Sequence, residues 1–117
     1  MEEGIRMFNE QKYWECHEAL EDVWLEDRND PIRNIYWAVI QVAAALIHYR
    51  DNNPVGMKGM IFKAKEKFKR CRDLHLLSDI ALKYLDWEEF ESLAMSENFE
   101  KLYEFRFRHY PTSGEVT

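Results

Sequence analysis

His17, Glu18 and Glu21 fall within little more than one turn of a predicted helix, in the run Tyr-Trp-Glu-Cys-His-Glu-Ala-Leu-Glu-Asp-Val-Trp at residues 13–24. Side chains three or four apart share a helix face, so His17 and Glu21 are neighbours and Glu18 flanks them. Neutral imidazole and carboxylate are ligands for zinc, manganese or iron, and an i, i+4 pair places two of them. Trp14, Trp24 and Leu25 fall on the same half of the wheel. A histidine and two carboxylates set among tryptophans need partners if that face is buried, because an unpaired buried charge is costly.

A second helix offers those partners. Ile35 to Tyr49 is apolar almost all round, which predicts a central element packed on several sides. Its polar interior groups are Gln41 and His48, seven residues apart on a stripe with Ala38, Ala44 and Ala45. Facing the two helices together gives a pocket of His17, Glu18, Glu21 and His48, with Trp14, Trp24 and Gln41 around it. Two chemistries then stand open. In one, His17, Glu21 and His48 hold a divalent metal and Glu18 acts as general base on its bound water. In the other, the same groups form a buried hydrogen-bond network in a non-enzymatic module that recognises a small molecule or a protein partner.

The elements that must position these residues all read as helices. The first covers residues 2–8 and the second 12–26, ending in Asp27-Arg28-Asn29-Asp30. Asp30 and Pro31 suit the start of the third. Pro54 closes it and opens a fourth over 55–72, whose apolar stripe is Met57, Met60, Ile61, Ala64, Phe68 and Cys71. Ser78 or Asp79 starts a short segment, and Asp86 with Glu89 resembles a capping box for 87–95. Ser96 is the expected cap of a last helix carrying Phe99, Leu102, Tyr103 and Phe107 on one face. The expectation is an all-α bundle of five or six helices over residues 1–110, with 111–117 a flexible tail.

Composition narrows the classes further. With 46% hydrophobic and 15% aromatic residues among 117, the chain is a folded domain of one core. No apolar run reaches the roughly 18 residues of a membrane span. The start, Met-Glu-Glu-Gly, lacks the basic-then-apolar pattern of a signal peptide. Cys16 and Cys71 have no disulfide-framework or metal-pair spacing, which suits a reduced, cytoplasmic protein. The net charge of −6 argues against specific nucleic-acid binding, although the fourth helix carries Lys58, Lys63, Lys65, Lys67, Lys69, Arg70 and Arg72 against Glu66. The aromatic surplus at Tyr103 to Tyr110 predicts a homodimer contact.

Tyr-Trp-Glu-x-His-Glu-x-Leu-Glu-x-x-Trp-Leu at residues 13–25 resembles the helical family catalogued as domain of unknown function three hundred and nine. The likeness continues at Ala43-Ala44-Ala45 and His48, at Asn53 and Gly56, and at Leu85-Asp86-Trp87. Members carry the label metal-dependent hydrolase, so the resemblance implies a metal site and hydrolysis. Gln11 departs from it, standing where the pattern has glycine.

Overall fold

The computed structural model describes residues 2–26, 33–74 and 86–107, with the side chains of Glu2, Val23, Trp24 and Glu26 excepted. Among them are six helices and no strand: α1 (Glu2–Asn9), α2 (Tyr13–Glu26), α3 (Arg33–Arg50), α4 (Pro54–Asp73), α5 (Trp87–Met95) and α6 (Phe99–Glu104). The expected Asp30–Pro31 helix start, the segment from Ser78 or Asp79 and the tail 111–117 lie outside the described residues.

α3 is the central element, as its all-round apolar surface predicts. It packs against both α2 and α4, and it buries Ile35, Ala38, Val39, Ile40, Val42, Ala43, Ala45 and Leu46 along its length. Small side chains on its alanine positions let neighbours close in. Gly4 does the same elsewhere: a Cβ on this residue of α1 would meet Leu20 Cδ2 of α2 at 2.4 Å, so that crossing exists because no side chain is there.

Three helix ends share one construction. After α1, Gln11 N–H donates to the Phe8 carbonyl at 2.9 Å and Lys12 N–H to the Met7 carbonyl at 2.9 Å. After α3, Asn52 and Asn53 repeat the pattern onto Tyr49 and His48, and after α5, Glu97 and Asn98 repeat it onto Ala94 and Leu93. This is the Schellman closure, which needs a left-handed residue at its turn and usually takes glycine. Here the residues are Gln11, Asn52 and Glu97, with φ of 60°, 56° and 55°. Each non-glycine there carries strain of about 1 kcal/mol, and Gln11 recovers some of it by donating Nε2–H to the Tyr103 carbonyl at 3.0 Å.

The chain end departs from the expected helix. Ser96 proves to be the C-cap of α5, and Asn98 caps α6, its Oδ1 accepting from Lys101 N–H at 3.2 Å. Asp86 does occupy the N-cap of α5, but with φ 50° its side chain makes no capping bond, because that bond needs extended backbone at the cap. α6 stops at Glu104, and Phe105 turns extended. On a continuing helix, Phe105 and Phe107 would point to opposite sides. In extended chain, residues i and i+2 share a face, so both enter the core against Phe90. Asn9 clamps the segment by accepting from Phe107 N–H at 2.8 Å and donating to its carbonyl at 3.0 Å. The aromatic surplus assigned to a dimer contact is therefore inside the molecule at Phe105 and Phe107.

Cys16 and Cys71 are both fully buried and unpaired. Burial pushes both thiols up from the ordinary 9.0 to about 12, with Glu91 a smaller contributor at Cys71. A raised thiol keeps its proton in the folded state, so this contribution is fully present below pH 9.0. It falls away between 9.0 and about 12, where the unfolded chain ionises first. Alkylation at neutral pH should accordingly be slow in the native protein and fast in denaturant, since thiolate is the reactive form. Rapid native labelling at either position, read by mass spectrometry, would contradict that burial.

Candidate functional site

The face of α2 that enters the core is Tyr13, Cys16 and Leu20, spaced i, i+3, i+7. The opposite stripe is Trp14, Glu18, Glu21 and Leu25, spaced i, i+4, i+7, i+11. Thus the wheel half expected to be buried looks outward: Trp14 is 58% exposed, Leu25 49%, and Glu18 is exposed. The reason is physical. A single apolar wedge of Tyr13, Cys16 and Leu20 already satisfies the packing of α2, and the carboxylates Glu18 and Glu21 cannot turn inward without counter-charges. Trp24 belongs to α2, but its side chain is outside the described set.

His17 sits at the border between these faces. Its ring stacks on the Trp14 indole, with centroids 5.5 Å apart and planes 1° from parallel. Its Nδ1 is buried and lies 3.4 Å from Glu21 Oε2, at an angle that makes no hydrogen bond. Glu15, Glu18 and Asp22 extend the acidic surface without an ion pair among the described residues. The outcome is a platform of an exposed indole on a half-buried imidazole, with Glu21 beside the imidazole and Glu18 on the same outward face.

His48 answers to different neighbours. The side chain of Asn53 caps α4 by accepting from Gly56 N–H through Oδ1 at 3.1 Å. That fixes Asn53 Nδ2 as the donor toward His48 Nδ1, 3.2 Å away, so His48 accepts through Nδ1 and carries its ring proton on Nε2. Gly56 makes room for the ring: a Cβ there would stand 2.6 Å from Nδ1. The three residues form a corner brace between α3 and α4. Gln41 is buried at 7% exposure, and its Oε1 has no hydrogen-bond partner among the described residues. Among those residues no three of His, Cys, Asp or Glu gather in a geometry that could hold a metal ion. His17, Glu21 and His48 therefore do not form one ligand set in this structure.

A second feature escaped the sequence reading. Between α4 and α5 lies an open, mostly apolar groove of about 610 Å³, floored by Phe68 and rimmed by Phe62 and Met95, with Lys65, Lys69 and Arg72 and the carboxylates Glu66 and Glu88 around it. Phe62 is 64% exposed and Met95 48%. One wall holds Glu91, a carboxylate with 6% of its side chain exposed, which accepts two hydrogen bonds from the Arg72 guanidinium, one of them from Nε at 2.9 Å. Two signals were present in the sequence. Phe62 lies off the apolar stripe of α4, and Glu91 shares a face with Trp87, Phe90 and Ala94.

The sequence profile of the family described as Domain of unknown function (DUF309) matches residues 1–60, just over half of the 117. The chain belongs to the DUF309 family. The match takes in α1 to α3 and the first turns of α4, hence the Trp14–His17–Glu21 platform and the His48–Asn53–Gly56 brace. It stops before Leu85-Asp86-Trp87, where the sequence had suggested that the likeness resumed. Relatives include the Uncharacterized protein YpuF of Bacillus subtilis (strain 168), 41% identical over 49 residues, which are 42% of this chain and 28% of that one. An Uncharacterized protein of Aquifex aeolicus (strain VF5) is 27% identical over 73 residues, 62% of this chain and 22% of its own. This DUF309 chain thus spans under a third of either relative's length. No solved structure matches it.

Proposed function

We propose that this DUF309 chain is a non-enzymatic interaction module whose outward α2 face docks a partner bearing a basic, partly apolar helix face. The observation that carries the reading is the stripe Trp14–Glu18–Glu21–Leu25, in which two exposed apolar anchors flank two carboxylates along one helix. Exposed indoles flanked by complementary charge are what interface hot spots are made of. The family relatives add support, because the shared segment is a small part of each, as expected of a module that serves longer chains.

The hydrolase label of the family would ask His17, Glu21 and His48 to share a metal with Glu18 as base. That reading draws less support, since His48 Nδ1 is spent on Asn53 and packs over Gly56. A reduced, cytoplasmic setting belongs to the proposal, as the free thiols Cys16 and Cys71 are both buried. No helix among the described residues is long and apolar enough to cross a membrane. The acidic balance keeps specific nucleic-acid recognition outside the proposal.

The test is titration with a synthetic helix that has one lysine-rich and one leucine-rich face, at near-physiological salt. Trp14→Ala and the pair Glu18→Lys/Asp22→Lys should each weaken binding roughly tenfold or more. Unfolding midpoints should hold, because exposed positions usually change stability by no more than about 0.5 kcal/mol. Unchanged affinity in both variants would defeat the proposal. Stoichiometric zinc uptake lost in His17→Ala would reinstate the metal reading in its place.

A further inference from the structure

The α4 face beside the groove repeats the geometry of the α2 stripe with opposite charge. Val55, Lys58, Phe62, Lys65, Lys69 and Arg72 follow one another at three- and four-residue steps, so they form one line along the helix. Val55 is 83% exposed and Phe62 64%. Lys65 is held by Glu97 at 2.8 Å and Arg72 by Glu91. Lys58 and Lys69 form no ion pair among the described residues and are exposed. On α2, the uncompensated groups are the carboxylates Glu15, Glu18 and Asp22, and the apolar anchors are Trp14 and Leu25. The exposed Lys58 and Lys69 of α4 thus complement these carboxylates, while the groove between them and α5 is itself charge-balanced, with Lys65, Lys69 and Arg72 against Glu66, Glu88 and Glu91. Within one molecule the two stripes remain unsatisfied, because α2 and α4 both pack on α3 and both faces stay exposed.

We infer that the occupant of the α4–α5 groove is the α2 face of a second copy of this chain. The inference rests on the interaction-module reading and names its partner. Trp14 of one copy enters the groove over Phe68, between Phe62 and Met95 of the other, while Glu18 and Asp22, one and two turns further along α2, run past the Lys69 side of the groove. The indole fits for two reasons. The groove is large enough for a ligand-sized group at about 610 Å³. Its apolar floor also takes the face of a ring that His17 already holds in one orientation by stacking. Charge pairing sets the register and the encounter rate, and the buried aromatic supplies most of the affinity.

Sedimentation velocity over a concentration series, at low and near-physiological salt, tests this directly. The wild-type chain should associate, more strongly at low salt. Glu18→Lys/Asp22→Lys should be monomeric alone, and so should Lys58→Glu/Lys69→Glu. An equimolar mixture of the two should associate again, since each reversed face now meets its complement on the other variant. Trp14→Ala and Phe62→Ala should each raise the dissociation constant roughly tenfold or more. Circular dichroism should confirm that both remain folded. A wild-type chain that stays monomeric throughout overturns the inference, as does a mixture that fails to recover association. If that monomeric chain still binds the lysine–leucine helix, the interaction-module reading survives alone. If it binds neither, both fall.

Discussion

Truncating Phe90 to alanine should lower the stability of the fold by about 3–5 kcal/mol, the range for removing a large aromatic from a close-packed core. Phe90 is fully buried, and five rings surround it: Phe107 at 4.9 Å, Trp87 and Phe105 at 5.5 Å, Phe68 at 5.6 Å and Phe8 at 5.7 Å between centroids. These come from α1, α4, α5 and the extended end, so one cavity loosens four parts of the molecule together. Rings locked edge-on and tilted against each other cannot collapse into the space without leaving their own favourable contacts. Against a total of about 5–15 kcal/mol for a domain, such a loss leaves a marginal fold. Urea unfolding followed by circular dichroism measures it. A loss under about 1 kcal/mol would mean that Phe90 is not at the hub.

Arg72→Ala should cost about 2–3 kcal/mol, although Arg72 itself is mostly exposed. The cost arises at Glu91, whose carboxylate stays buried after its two hydrogen-bond donors have gone. Glu91→Leu added to the same chain should restore much of the stability, because an apolar side chain of similar size needs no donor. The double variant should then be more stable than Arg72→Ala alone, a non-additivity that denaturant titration reads directly. Additive losses would show instead that water already satisfies Glu91 in the native state.

The sequence made the helical architecture legible because apolar spacing reports burial whenever a helix has one dominant core face. α4 read correctly on that basis, and α3 on the opposite one, apolar residues on all its sides marking an element packed by several neighbours. α2 did not, because its two tryptophans and the His/Glu pattern drew attention to the wrong half of the wheel. Tyr13, Cys16 and Leu20 are an equally good apolar line, and periodicity alone does not choose between two such lines. The end of the chain misled for another reason. Phe99, Leu102, Tyr103 and Phe107 fit a helical stripe, but Phe105 had no place on it, and burying Phe105 together with Phe107 required extended backbone. The role of His48 followed from an interaction that spacing cannot express, an asparagine side chain dividing its oxygen and nitrogen between a helix cap and an imidazole. Gln11 stands where the family pattern has glycine, and the left-handed turn there explains why glycine suits the position.

The ties from Asn9 to Phe107, Gln11 to Tyr103 and Tyr13 to Tyr103 join residues 90 to 98 positions apart in the chain. During synthesis the ribosome delivers roughly 5–20 residues per second, so α1 and α2 emerge seconds before the segment that seals their turn. For that interval Phe8 lacks Phe90 and Phe107, and Tyr13 lacks Tyr103, the rings that later cover them. The family's first sixty residues therefore do not close the α1–α2 turn by themselves; residues 103 to 107 supply the groups that seal it.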